Sequence, residues 1–157
     1  KNIGLGFSLA SGTIGACLEG NIAGIPGIAL SQELVPSDFI YWDKNRRFPK
    51  ETEVFVQRTI PANCEMIWAQ YANQNFDYPI TWNINFPYVA NNNIKISRTT
   101  LSKTFYGQCF QQDDNLDYKF GLAKACIDNS LNTDVAALEE GNISATLIDI
   151  TTLGQNL

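Results

Sequence analysis

Residues 11–31 read Ser11-Gly12-Thr13-Ile14-Gly15-Ala16-Cys17-Leu18-Glu19-Gly20-Asn21-Ile22-Ala23-Gly24-Ile25-Pro26-Gly27-Ile28-Ala29-Leu30-Ser31. From Thr13 onward, Ile14, Cys17, Leu18 and Ile22 recur three or four residues apart, the spacing of a helix buried along one side. Ser11 or Thr13 can cap its start, and Gly24 ahead of Pro26 closes it. The run Ile25 to Ser31 is short, apolar and bounded by turn residues, as in a fully buried strand of a parallel sheet. A helix leading into such a strand is part of a βα unit, so the fold class is α/β. The opening strand of that unit is expected upstream of Lys1.

Working outward, residues 1–12 are small (Gly4, Gly6, Ser8, Ser11, Gly12) and read as a flexible glycine loop. Residues 32–50, with Pro36, Pro49 and Asp43-Lys44-Asn45-Arg46-Arg47, read as a solvated loop. One helix is expected from about Lys50 through Thr59. A second follows Pro61, which suits a first helical turn, with Cys64, Ile67, Trp68 and Tyr71 on one face. Ile80-Thr81-Trp82-Asn83-Ile84-Asn85-Phe86 alternates apolar and polar up to the stop at Pro87, which predicts a strand. After the Asn91-Asn92-Asn93 turn, Ile94 and Ile96 begin another. Residues 101–127 read as an extended hairpin arm whose polar tip is Asp113-Asp114-Asn115. Thr133 to Gly141 is a short helix with an N-cap and a C-terminal glycine, and Ile143 to Ile148 is a last strand. The chain is expected to form one domain, its core at about 1–100 and 130–150 and the hairpin extension at about 101–127.

Composition narrows the function. The 157 residues are 45% hydrophobic, an ordinary globular value, and a chain this long buries roughly 68–70% of its unfolded surface. The net charge is −5, without the basic stripe that a nucleic-acid duplex requires. There is no histidine, so Ser-His-Asp, Cys-His and histidine-metal chemistries cannot be built. Cys17, Cys64, Cys109 and Cys126 contain no C-x-x-C pair and have mostly apolar neighbours, which predicts buried, reduced thiols rather than a disulfide framework. No apolar stretch approaches the length of a membrane span. A cytoplasmic protein is expected.

Ser11-Gly12-Thr13 is the sharpest chemical feature. Backbone N–H groups of a first helical turn lack partners and sit at the positive end of the helix dipole. A glycine loop ahead of them lets an anion approach, and two hydroxyls add donors, so this is a seat for phosphate. The carboxylates are less informative. Asp113, Asp114 and Asp117 share the hairpin tip but lack the glycine and closing glutamate of a calcium loop. Asp134 starts a helix, Glu139 and Glu140 end it, and no acid/base pair stands out.

Several segments, in order, resemble the SurE family of metal-dependent 5′-nucleotidases. These are Asn2-Ile3-Gly4, Ser11 to Ala16, Leu18-Glu19-Gly20, Gly24 to Ser31, Trp82-Asn83-Ile84-Asn85-Phe86-Pro87, and Thr133 to Thr146. The resemblance implies a Rossmann-like, three-layer fold with a mostly parallel sheet and a β-hairpin extension, of which this chain would be the C-terminal portion, its N-terminal strands missing. It implies hydrolysis of nucleoside 5′-monophosphates, with 3′-nucleotidase or exopolyphosphatase activity in some members, and assembly as a homodimer or homotetramer. It also implies a divalent cation, magnesium or manganese, held by an Asp-Asp pair, a serine and an asparagine, all expected upstream of Lys1. No metal ligand and no catalytic residue is therefore assigned here, and these residues alone are expected to be inactive. The substrate phosphate falls to Ser11, Gly12 and Thr13. The alternative is a non-catalytic phosphate-binding or oligomerisation module of the same fold.

Overall fold

A computed structural model describes residues 1–74, 79–89, 93–120 and 126–152. In chain order these form helices α1 (Leu5–Leu9) and α2 (Gly12–Ile22), strand β1 (Gly27–Gln32), helices α3 (Pro36–Asn45) and α4 (Lys50–Tyr71), and strands β2 (Thr81–Phe86), β3 (Ile96–Thr99), β4 (Phe110–Gln112) and β5 (Tyr118–Phe120). Helix α5 (Asp134–Glu139), strand β6 (Ile143–Ile148) and a 3-10 turn at Ile150–Thr152 follow.

Four strands make the main sheet in the order β1-β2-β6-β3. β1 pairs with β2, and β3 with β6, in parallel, whereas β2 and β6 are antiparallel. The sheet is therefore mixed and mostly parallel, in an α/β fold. Its two faces differ in chemistry because strand side chains alternate. On one face Trp82, Ile84 and Phe86 of β2 join Ile143 and Ala145 of β6, and Ile67 and Tyr71 of α4 cover them. Burying a side chain such as Ile67 stabilises by about 1.5–3 kcal/mol, and Tyr71 packs edge-on to Trp82 with ring centroids 4.8 Å apart.

The opposite face is polar yet fully buried: Thr81, Asn83, Asn85 and Ser144 have no exposed surface. α2 packs over its β1–β2 part. Val135 and Leu138 of α5 form a smaller apolar cluster there with Ile3. Three layers result, helix on sheet on helix.

Gly27 sets the closeness of α2 to β1, since a Cβ there would lie 2.6 Å from Cys17 Cβ. Inside that contact Asn21 donates to the carbonyls of Ile25 (2.9 Å) and Ile80 (3.2 Å) and accepts from Thr81 Oγ1 (2.7 Å). Its amide fixes the helix phase, so Ile22, expected on the buried side, is 73% exposed.

Five further expectations are corrected. Residues 1–12 are not a plain loop: Leu5 and Gly6 donate to the carbonyls of Ser102 (2.9 Å) and Thr104 (3.0 Å), which pairs first-turn N–H groups of α1 and lets a short helix form. Residues 32–50 contain α3, which starts at Pro36, where a missing N–H costs nothing. Helix α4 runs unbroken through Pro61. The ring removes one bond to the carbonyl four residues back, while continuing the helix brings Ile67 and Tyr71 onto the sheet. Trp68, expected on that face, is 69% exposed. Finally, Cys17, Cys64 and Cys109 are half-buried and Cys126 is exposed, all four as free thiols.

Within residues 101–127, β4 and β5 pair antiparallel from Phe110↔Phe120 to Gln112↔Tyr118. Residues 121–125 and the start of the 91–93 turn lie outside the described residues. Among the described residues no helix is long and apolar enough to cross a membrane.

Candidate functional site

The polar face of the sheet explains the placement of the first twelve residues. Asparagine is a poor strand former, yet Asn83 and Asn85 occupy the middle of the central strand because their amides bond a backbone that crosses them. Asn2 N–H donates to Asn85 Oδ1 (2.6 Å). Its carbonyl accepts from Asn83 Nδ2 (2.8 Å) and Asn85 Nδ2 (3.2 Å). Its own side-chain amide donates to Ser31 Oγ (2.8 Å) on β1, and Ser8 Oγ reaches the same carbonyl at 3.4 Å.

Two residues later Asp134 takes hold. Its Oδ2 accepts from Gly4 N–H (2.7 Å), and its Oδ1 from the N–H groups of Ser102 and Val135 (2.9 Å each). Burial pushes this carboxyl above its ordinary range, against the lowering influence of the three N–H groups. Gly4 sits at φ 76°, ψ 151°, a region essentially confined to glycine. A Cβ there would meet Thr104 Cβ at 2.6 Å. Hydrogen bonds thus join residues 2–6 to the sheet, to α5 and to residues 102–104.

This anchored segment delivers the chain to the head of α2. Ser11 is the N-cap, its Oγ accepting from Ile14 N–H (3.2 Å) while its carbonyl accepts from Gly15 N–H (2.8 Å). Ser11 is half-buried, and Gly12 and Thr13 are exposed. Among the described residues nothing accepts from the N–H of Gly12 or Thr13, and the space where a Gly12 Cβ would stand is open to 4 Å. Because α2 leads directly into β1, its N-terminus lies at the carboxyl end of β1 and β2, where α/β sheets bind ligands. The three residues singled out in the sequence are adjacent at this helix start, Gly12 and Thr13 exposed and Ser11 half-buried with its Oγ engaged by Ile14 N–H.

The carboxylates do not assemble a cation site. Both oxygens of Asp134 are taken by backbone N–H groups. At the hairpin tip Asp113 accepts from Asn115 N–H (3.0 Å), Asp117 N–H (3.1 Å) and Lys119 Nζ (2.7 Å). The lysine holds its carboxyl below the usual range. Among the described residues no three His, Cys, Asp or Glu side chains are grouped to hold a metal ion.

Two cavities of about 400 Å³ each open nearby, one beside Lys1, Phe7, Thr104 and Val135, the other beside Val35, Tyr88 and Glu140. They share Glu33, Leu138 and Glu139, and neither is lined by Ser11, Gly12 or Thr13. Sequence reasoning placed Asp134 only at a helix start and missed the roles of Asn2, Asn83 and Asn85. The one available signal was the row of polar residues, Thr81, Asn83 and Asn85, on one side of a strand.

Residues 1–108 match the family model described as Survival protein SurE. The chain is 29% identical over 153 residues to the 5′-nucleotidase SurE of Methanococcoides burtonii, covering 96% of this chain and 57% of that protein. It is 26% identical over 150 residues to that of Thermofilum pendens, covering 95% and 54%. The 5′-nucleotidase SurE of Caulobacter vibrioides is 27% identical over 146 residues, covering 89% and 51%. The chain therefore spans about half the length of the curated relatives it matches. Among solved structures, the SurE protein from Aquifex aeolicus shares the fold with a TM-score of 0.60 at 20% identity, over 99% of this chain and 60% of that one.

Proposed function

Because the chain belongs to the SurE family, we propose that it carries the phosphate-holding part of a phosphomonoester hydrolase acting on nucleoside 5′-monophosphates. The observation that carries this reading is the head of α2, where Gly12 and Thr13 present N–H groups that find no acceptor among the described residues, beside the hydroxyls of Ser11 and Thr13. The relatives' shared name, 5′-nucleotidase, supports the substrate class.

In this reading the phosphate oxygens sit on the Gly12 and Thr13 N–H groups. The Ser11 hydroxyl, whose lone pair is engaged by Ile14 N–H, keeps its proton to donate to the ligand. Donors fixed before the reaction stabilise the charge carried by the non-bridging oxygens as the ester bond breaks, without the cost of reorganising water. The bonds from Asn2 and Asp134 hold the segment leading to Ser11, so the seat is formed before the ligand arrives.

The donor set for the magnesium or manganese ion that the family resemblance implies is not present among the described residues, and no step here is routed through it. These 157 residues are accordingly proposed to bind nucleotide without turning it over at full strength. Calorimetry with AMP tests the binding: Ser11→Ala combined with Thr13→Ala should weaken it. Metal-dependent AMP hydrolysis at full strength by these residues alone would overturn the placement of the cation's ligands elsewhere. That no acidic side chains among the described residues are grouped to hold a metal ion favours one second reading, a non-catalytic phosphate-binding or oligomerisation module of the same fold. Assembly as a homodimer or homotetramer belongs to the proposal too, supported by exposed apolar side chains such as Phe39, Ile40 and Val54.

A further inference from the structure

Beside the anchored segment lies an apolar cavity of about 400 Å³ that the phosphate seat does not use. Ile3, Phe7, Ile127, Val135 and Leu138 make its walls, and Thr104, Glu33 and Glu139 supply its polar groups. A cavity of this size and lining suits a small organic ligand with a few polar edges. Ile3, Val135 and Leu138 are at most 8% exposed, so core packing fixes the walls. The Phe7 ring packs edge-on to Tyr106 with centroids 5.0 Å apart.

The polar groups have capacity to spare. Thr104 is buried, and its Oγ1 accepts from Ser102 Oγ (2.8 Å) and Asp128 N–H (3.0 Å). Both lone pairs are thus engaged, and among the described residues nothing accepts its proton, which is left to donate to a ligand. Glu33 is engaged by Lys1 Nζ and by Tyr88 N–H (3.2 Å). Glu139 bonds Asn129 Nδ2 (3.3 Å) through one oxygen, and its other oxygen can accept from a ligand.

Two observations put this cavity next to the head of α2. Ser11 N–H donates to Ser8 O (3.3 Å) and Ala10 N–H to Gly6 O (3.4 Å), so Phe7 and Ser11 are about one helical turn apart, roughly 5–6 Å. Glu33 directly follows β1, which puts the cavity at the carboxyl end of the sheet, the same end as Gly12 and Thr13.

We propose that this cavity holds the nucleoside of the bound nucleotide, the base against Phe7, Val135 and Leu138 and the pentose spanning the turn to Ser11. The choice of occupant rests on the phosphate reading, whereas the cavity is a separate observation. Charge sets the direction of binding. Glu33 and Glu139 repel a phosphate dianion and admit a neutral base, while the N–H groups of Gly12 and Thr13 draw the phosphate to α2. Phosphate compounds without a base, such as ribose 5-phosphate, lose the cavity contact and bind more weakly.

The test titrates the isotope-labelled chain separately with adenosine, inorganic phosphate and AMP. Adenosine should shift the amides of Phe7, Val135 and Leu138 and leave Gly12 and Thr13 in place. Phosphate should do the reverse, and AMP should move both sets. By calorimetry AMP should bind at least about tenfold more tightly than ribose 5-phosphate, the effect of burying the base. Phe7→Ala should bring AMP close to the affinity of ribose 5-phosphate and leave the phosphate shifts unchanged. If Phe7→Ala fails to fold, the comparison of AMP with ribose 5-phosphate on the unaltered chain decides. Cavity amides unmoved by adenosine, or equal affinities for AMP and ribose 5-phosphate, would overturn the nucleoside cavity and leave the phosphate seat standing. Cavity shifts with adenosine but no response of Gly12 and Thr13 to phosphate would overturn the seat and keep the cavity.

Discussion

Asp134 Oδ2 accepts the N–H of Gly4 at 2.7 Å, across 130 positions of sequence, inside the protein. This bond ties the start of α1 to the start of α5, and with Asn2 on Asn83 and Asn85 it fixes the segment that presents Ser11, Gly12 and Thr13. Replacing Asp134 by Asn puts an amide donor against one of the N–H groups it now accepts. The cost is expected to be about 1–3 kcal/mol, that of an unsatisfied buried group, and chemical denaturation measures it.

The same carboxyl makes a pH prediction. Burial raises its folded-state value, so the native state binds more protons than the unfolded chain between the two values. Its contribution is full below the unfolded value of about 3.9 and is lost as pH rises through the raised folded value. The stability difference between wild type and Asp134→Asn should therefore shrink as pH rises through that window. Asp113 and Asp128, held low by their own hydrogen bonds, titrate alike in both proteins and cancel. A difference that grows with pH would contradict the burial argument.

Gly4→Ala and Gly12→Ala should separate sharply. At Gly4 the backbone lies at φ 76° and an added Cβ meets Thr104 at 2.6 Å, so a loss of at least about 1–3 kcal/mol is expected from strain alone. At Gly12 the space is open, and thermal melting should show no loss.

Ser11→Ala removes the N-cap of α2 and should cost about 0.5–2 kcal/mol. Thr13→Val, at an exposed position that caps nothing, should leave stability unchanged within about 0.5 kcal/mol. Both should weaken AMP binding by calorimetry. A Thr13→Val variant with undiminished affinity would remove that hydroxyl from the site.

How much of this was legible depended on the range of the interactions. α2, β1, α5 and β6 announce themselves because caps, glycine stops and alternation act within a few residues, as with Thr133 capping Ala136 N–H. The head of α2 was legible for the same reason. α1 was hidden because its first-turn N–H groups are paired by Ser102 and Thr104, a hundred residues on. Pro61 suggested a break that tertiary packing of Ile67 and Tyr71 overrides. α3 escaped notice because its apolar side chains Phe39 and Ile40 stay exposed and show no buried face. Asp134 and Asn85 carry no local mark of their partners, Gly4 and Asn2.

Asn85→Ala tests the polar face. It strips the acceptor from Asn2 N–H and one donor from Asn2 O while leaving the apolar core intact. Stability should fall by about 1–3 kcal/mol, and amide exchange should rise first over residues 2–8. Loss confined to β2 and β6 would mean that the asparagine serves only the sheet.

The central claim is that the exposed N–H groups at the head of α2 bind the phosphate of a nucleotide. Titration of the isotope-labelled chain with AMP, followed by amide chemical shifts, tests it most directly. The account predicts saturable shifts that are largest at Gly12 and Thr13 and reduced in Ser11→Ala. Shifts confined to the cavities around Glu33, Tyr88 and Glu139, or none at α2, would contradict it.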